Sequence, residues 1–310
     1  MNVIRGINNI KIPFAYPVLA IGNFDGVHLG HQAIFKKVVD RAEEVDGTRI
    51  VLTFDPHPRK IIATEKNTHL LSTFEQKVEF IKKTGIDTLI CADFTPDFAA
   101  QSPREFTENI LVEKINVKEV FVGHDFNFGK GGKGTVDSFQ KMGEEFGFKV
   151  EVLNPVKING SIVSSSFIRD LIANGQVSKA ARYLGRLYSL EGVVVGGFKV
   201  GSSMGFPTAN IELPDTLIPQ TGVYAVRVVV KNKSFNGVTN IGYNPTFKRN
   251  HLSIEVYVID FTENLYEKTV RLSFIEKVRD EIAFSSPEKL KIQIQKDILA
   301  AKELLKRKMH

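Results

Sequence analysis

Residues 20–32 read AIGNFDGVHLGHQ. An apolar run ending at Ile21 breaks into a loop bearing Gly22, Asn23, Phe24, Asp25 and Gly26, and two histidines, His28 and His31, flank Gly30 where a helical pattern begins. A strand handed to a helix through glycines is the opening unit of a βαβ fold. Three readings fit the loop itself: a metal site, a phosphate cradle, or a plain turn that carries histidines.

The flanking sequence extends the βαβ reading. VLAIGNF, RIVLTFD, IDTLICADF, KEVFVG and FKVEVLNP read as five strands, with helices expected over Gln32–Val45, Phe74–Lys83, Pro103–Ile115 and Val136–Phe146. Apolar strands alternating with helices require a parallel sheet covered on both faces, so the first half is expected to be a doubly wound α/β domain. Two short helical patterns, SSFIRDLIANGQ and VSKAARYLG, close it, with Gly175 and Gly185 as stops.

Past Leu184 the period changes. SLEGVVVGG, PTANIEL, GVYAVRVVV, FNGVTNIG, LSIEVYVIDF and KTVRLSFIEKV follow one another without helical spacers, the pattern of an antiparallel β-barrel. A terminal helix starts at a Ser286 cap with Pro287 in its first turn, and Leu290, Ile294, Ile298, Leu299 and Leu305 are expected to face the barrel. The chain therefore divides into 1–184, an α/β domain, and 185–310, a β-barrel with a terminal helix.

Across 310 residues, 41 Lys and Arg stand against 35 Asp and Glu, a net charge of +6 that favours anionic partners. Nucleotides fit that bias; nucleic acid would call for a concentrated basic stripe with interleaved aromatics, which the sequence lacks. Cys91 stands alone, so no internal disulfide framework forms and a reducing compartment is expected. MNVIRGINNIKIP carries no signal-peptide pattern and no run is long enough to span a bilayer, so the expectation is a cytoplasmic protein without a membrane partner.

For the opening loop, a zinc site would need three or four ligands, and HLGH supplies two, with Asp25 and His57 as further possibilities. A phosphate cradle suits the context better, because a helix N-terminus presents unpaired N–H groups and the positive end of its dipole to an anion. A second glycine cluster, GKGGKG at 129–134, satisfies G-x-G-x-x-G, and with Glu151 it raises the alternative of an NAD(P)-dependent oxidoreductase. The tight strand-to-helix turn is missing, since five residues separate EVFVG from Gly129. No Gly-Lys-Ser/Thr ends the cluster either, so Lys130 and Lys133 belong to a basic loop.

In the second half, Thr208 and Asn210 share one face if they lie on a strand, and their oxygens suit Mg²⁺ or polar phosphate atoms; a plain polar strand edge is the competing reading. In LSIEVYVID, the residues Ile254, Val256 and Val258 alternate toward one face and leave Glu255 with Tyr257 and Ile259 on the other. That face is either solvent-exposed or a place for a carboxylate general base.

GNFDGVHLGHQ, TFDPHP, VGHDFNFGKGGKG and VSSSFIR, in that order, resemble the nucleotidyltransferase half of the prokaryotic bifunctional riboflavin kinase/FAD synthetases. GFPTANI, GVYAV, NIGYNPTF, IEVYVIDF and VRDEIAF resemble successive motifs of the riboflavin kinase half. The resemblance implies riboflavin, FMN and ATP as substrates, with Mg²⁺ required in both steps. It implies that His28 and His31 contact ATP phosphates and that Gly22, Asn23, Phe24, Asp25 and Gly30 shape the nucleotide site. Asp125, Ser165, Ser166 and Arg169 continue that site, with Arg169 suited to the leaving pyrophosphate. Phe128 and His57 would line the flavin pocket.

In the second half, Thr208 and Asn210 would serve Mg²⁺–ATP, Glu255 would activate the ribityl 5′-hydroxyl, and Arg279 and Glu281 would lie on the flavin side. The chain departs from the family pattern at Ser166-Phe167, where Thr-Arg is usual. It departs again at Ser202-Ser203, where arginine is frequent, and at Tyr257, where histidine is.

Overall fold

The computed structural model describes residues 1–62, 69–196, 205–212, 215–244 and 251–307. Contacts divide the chain into two compact units, Met1–Ser165 and Ser166–His310. The departure at Ser202-Ser203 and the Pro-Thr-Phe end of NIGYNPTF lie outside the described residues.

In the first unit, β1 (Asn2–Arg5), β2 (Pro17–Ile21), β3 (Thr48–Asp55), β4 (Thr88–Asp93), β5 (Glu119–Gly123) and β6 (Lys149–Leu153) form one sheet in the order β1-β4-β3-β2-β5-β6. Every pairing in it is parallel. The helices are α1 (Leu29–Glu44), α2 (Pro58–Ile62), α3 (Phe74–Lys82), α4 (Pro96–Ala100), α5 (Pro103–Phe106) and α6 (Val136–Phe146). All five residues of β2 are buried, and Val18 to Ile21 split between two cores. Val18 and Ala20 pack with Phe35 and Val38 of α1, while Leu19 and Ile21 pack with Phe106 and Phe139 on the opposite side. Burial on both faces is why these strands read as unbroken apolar runs.

Two elements differ from the sequence reading. The sheet has a sixth strand, β1, an edge strand of four residues of which only Ile4 is half-buried, too short a pattern to betray it. The helix expected over Pro103–Ile115 is a short α5 followed by a wider turn at Thr107–Val112. There Glu113 N–H reaches the carbonyl of Glu108, and the hydroxyl of Thr107 donates back to the carbonyl of Pro103 at 2.9 Å.

A small hairpin, β7 (Lys157–Ile158) with β8 (Ser161–Ile162), precedes α7 (Ser165–Ala173) and α8 (Val177–Leu184). The compact units part at the start of α7, earlier in the chain than residue 184, because α8 packs on the barrel strand that ends at Arg279. The barrel strands are β9 (Ser189–Val195), β10 (Ala209–Ile211), β11 (Gly222–Val230), β12 (Lys233–Asn244), β13 (His251–Val258) and β14 (Thr269–Arg279). They close antiparallel in the order β10-β13-β12-β11-β14-β9, with β9 also pairing β10.

Helix α9 (Pro287–Arg307) lays Ala301 and Leu305, with Ile298 and Leu304, against Val223, Ala225, Val238, Tyr257 and Ile259 on the barrel's outer face. Leu299, expected in that stripe, is 65% exposed and points away, since it lies off the face set by Asp297, Ala301 and Leu305.

Candidate active sites

Strand order positions the first site. From β2 the chain builds outward through β3 and β4, then returns to place β5 on the other side of β2. The carboxyl ends of β2 and β5 thus flank a topological switch point, where open α/β sheets leave a ligand crevice. The Gly22–His31 loop leaves β2 here, and Asp125, exposed two residues past β5, leaves its neighbour.

The loop's backbone is unusual. Phe24, Gly26 and Val27 have φ of 48°, 76° and 41°, a left-handed conformation that costs a bulky or β-branched residue energy unless its surroundings hold it. Both side chains are buried, and Phe24 packs edge-on against Phe35 and His31. Glycine is required at 26, where a Cβ would lie 2.9 Å from Cβ of Leu71. Asp25 is buried, accepts the N–H of Leu71 at 2.9 Å through Oδ1, and receives the hydroxyl of Ser165 on its carbonyl at 3.0 Å.

His28 caps α1: its Nδ1 accepts the N–H of His31 at 3.3 Å. In neutral His28 the ring proton therefore sits on Nε2. The imidazoles of His28 and His31 stack with centroids 3.5 Å apart. Helix α1 begins at Leu29, next to the Gly30 start expected for the cradle, because this histidine cap starts it. Among the described residues no group of three or more His, Cys, Asp or Glu gathers as a metal site.

Other expected residues divide. Ser166 and Arg169 follow Ser165 on α7, Ser166 exposed and Arg169 half-buried. Phe128 is 8% exposed and packs among Phe106, Phe126 and Phe139, with its backbone bridged to Gly134. His57 is buried, and its Nδ1 accepts the N–H of Arg59 at the start of α2. GKGGKG forms a tight turn closed by that Phe128–Gly134 bridge, and α6 starts only after the Thr135 cap, so it is no strand-to-helix dinucleotide turn. The sequence reading missed Lys77, buried on α3 beneath the loop, and the aromatic group of Phe54 near the end of β3 with Phe94 and Phe98 just past β4. The signal for Lys77 was present: it stands four residues before Ile81 on the buried face of an amphipathic helix.

In the barrel, Asn210 of β10 faces Glu255 of β13, which in turn faces Asn240 of β12. The hydroxyl of Thr208 donates to Oε2 of Glu255 at 3.4 Å. These side chains are half-buried and lie on the barrel's outer face, opposite the row of Ile254, Val256 and Val258. Glu281 reaches Gly242, beside the amide of Asn240. Arg279, through Nε and Nη2, grips the buried carboxylate of Asp297 on α9, at 2.8 Å for the shortest bond. Its observed work is to anchor that helix.

The two halves match two sequence families, FAD synthetase over residues 15–167 and riboflavin kinase over residues 184–305. The chain is 38% identical over 303 residues to the bifunctional riboflavin kinase/FMN adenylyltransferase of Haemophilus influenzae, covering 97% of this chain and 98% of that protein. The chain belongs to the bifunctional riboflavin kinase/FMN adenylyltransferase family. The Escherichia coli K12 member of this family is 35% identical over 305 residues, covering 98% of this chain and 97% of that protein. A crystal structure described as a macrolide-efflux protein from Streptococcus pneumoniae superposes with a TM-score of 0.88 at 28% identity, over 97% of this chain and 99% of that one. Among the described residues, no helix of this family member is long and apolar enough to cross a membrane.

Proposed function

We propose that the barrel half phosphorylates riboflavin with ATP to give FMN, and that the α/β half transfers AMP from a second ATP to FMN, giving FAD and pyrophosphate. The observation that carries the reading is the His28–His31 pair at the N-terminus of α1, set at the switch point of the half that matches FAD synthetase.

In adenylyl transfer, a phosphate oxygen of FMN attacks the α-phosphorus of ATP, and the bond to the bridging oxygen breaks as pyrophosphate leaves with its electron pair. The nucleophile is already an anion, so no side chain has to take a proton. The imidazoles and the amides of α1 stabilise charge that moves onto phosphate oxygens. Gly22, Asn23, Phe24 and Gly30 shape the approach, Asp25 braces the loop from within, and Asp125, Ser165 and Ser166 complete the ATP side. Arg169 faces pyrophosphate in this assignment, which counts α7 with the adenylyltransferase half by chemistry although it packs with the barrel. Phe128 and His57 line the flavin end, where the ring of Phe128 offers an aromatic face for packing.

In the kinase step, the Glu255 carboxylate takes the proton of the ribityl 5′-hydroxyl as that oxygen attacks the γ-phosphorus of ATP and ADP leaves. Thr208 and Asn210 bring oxygen donors beside this carboxylate, a set that suits Mg²⁺. When bound, Mg²⁺ would neutralise phosphate charge. Glu281 stands at the flavin side, next to Asn240. We place the enzyme in the cytoplasm, supported by Cys91, a buried thiol and the chain's one cysteine.

The test is direct. Full-length protein is incubated with riboflavin, ATP and Mg²⁺, and riboflavin, FMN and FAD are resolved by chromatography. Conversion through FMN to FAD is expected; unchanged riboflavin together with unchanged added FMN would sink the reading.

A further inference from the structure

Beneath the nucleotide loop lies a charge that the proposed chemistry leaves unused. Lys77 is 5% exposed, and its ammonium donates to the carbonyl of Asn23 at 2.9 Å and lies 3.5 Å from the hydroxyl of Thr53. Thr53, fully buried in β3, donates to the same carbonyl at 3.2 Å. Burial pushes the lysine's pKa down, while the charges of Asp25 and Asp55 act to raise it. A methionine would fill this helix position without desolvating an ammonium, so the position has been given a costly group for what its tip reaches.

What it reaches is one peptide unit. Asn23 exposes its side chain but has its carbonyl gripped from below by two donors. In a planar trans peptide the carbonyl and the next N–H point in opposite directions, so this grip also turns the N–H of Phe24 away from Lys77. Phe24 is the first of three left-handed residues, with Gly26 and Val27, on the way to the His28 cap. A loop whose φ angles are strained needs such an external hold to keep one conformation.

We propose that Lys77 is a positioning residue for adenylyl transfer, acting through the carbonyl of Asn23 to hold the loop that aims His28, His31 and the start of α1 at the nucleotide. The proposal rests on the assignment of FAD formation to the α/β half. Thr53 is its partner in the same grip.

The experiment is steady-state FAD formation from FMN and ATP by the full-length protein, with thermal melting measured on each variant. Wild-type protein that forms no FAD overturns the assignment and this proposal with it; wild-type protein that forms FAD isolates the question of Lys77. Lys77→Met is then expected to lower kcat by at least about tenfold, with KM for ATP and FMN held within about threefold. Thr53→Val is expected to lose less, and the double variant to lose less than the product of the two, because both act through one carbonyl. A folded Lys77→Met with kcat within about twofold of wild type, or a loss carried wholly by KM, overturns the proposal. Should Lys77→Met not fold, Thr53→Val decides: lowered kcat at constant KM supports the grip, and unchanged kcat refutes it.

Discussion

Thr208 donates its hydroxyl to Glu255 at 3.4 Å, joining the residue before β10 to the middle of β13. The bond orients a carboxylate that has Asn210 and Asn240 as its cross-strand neighbours. Replacing Glu255 by Gln keeps the shape and removes the proton acceptor. Riboflavin phosphorylation is expected to fall by about 10²–10⁴-fold, the range for a general base. FMN supplied to the same variant should still become FAD, measured by chromatography; loss of that step instead would reverse the division of labour.

Asn210 tests the metal side of the same cluster. Asn210→Ala removes one oxygen donor and leaves the carboxylate in place. The Mg²⁺ concentration for half-maximal kinase rate is expected to rise by about threefold or more, a weaker site needing more ion to fill it. A titration curve that overlays the wild type would remove Asn210 from the Mg²⁺ site.

His31 contributes a ring stacked on His28, whereas its backbone N–H supplies the cap. His31→Ala therefore spares the start of α1 and deletes only the imidazole. With riboflavin and ATP the variant is expected to accumulate FMN, with FAD formation slower by about 10²-fold, as when one charge-stabilising donor is lost. FAD formed at the wild-type rate would show that the His31 ring only packs, against Phe24 and His28.

Gly26 carries a positive φ under the side chain of Leu71. In Gly26→Ala the left-handed conformation costs about 1–2 kcal/mol, and the new methyl must also displace Leu71. The expected result is a lower melting temperature and reduced FAD formation, with riboflavin phosphorylation retained.

Much of this organisation was legible in the residues, and the reasons separate by physical scale. Patterning exposed β2 to β6 and the barrel strands because burial on one or two faces writes itself into the order of apolar residues. It did not expose β1, an edge strand of four residues with only Ile4 half-buried, nor the widened turn after Phe106, where the hydroxyl of Thr107 bonds back to the carbonyl of Pro103. The loop of residues 22–31 was readable as a helix-terminus cradle, yet the histidine cap, the ring stack and the left-handed residues are matters of torsion that spacing does not encode. Long-range pairings were the least visible: Asn240 joins Glu255 only through strand register, and Arg279 pairs with Asp297 across the barrel-to-helix contact.

At the other end of the parallel sheet, the buried Glu119 at the start of β5 accepts Nε and Nη2 of Arg41 and the hydroxyl of Tyr16. These bonds, Arg41 first, hold its carboxyl below the usual glutamate range. A folded-state pKa below the unfolded value of about 4.3 gives stability that is fully present above that value and lost as pH falls through the folded pKa. The melting temperature of the wild type is therefore expected to drop on acidification, with part of the drop due to this one group. Glu119→Gln should lower the melting temperature near neutral pH, by an amount limited because the partly exposed Arg41 keeps water and Glu44 as partners. The gap between variant and wild type should then close as the pH is taken down. A gap that stays constant from about pH 7 to about pH 3 would mean that the carboxylate's charge contributes nothing to holding β5 against α1.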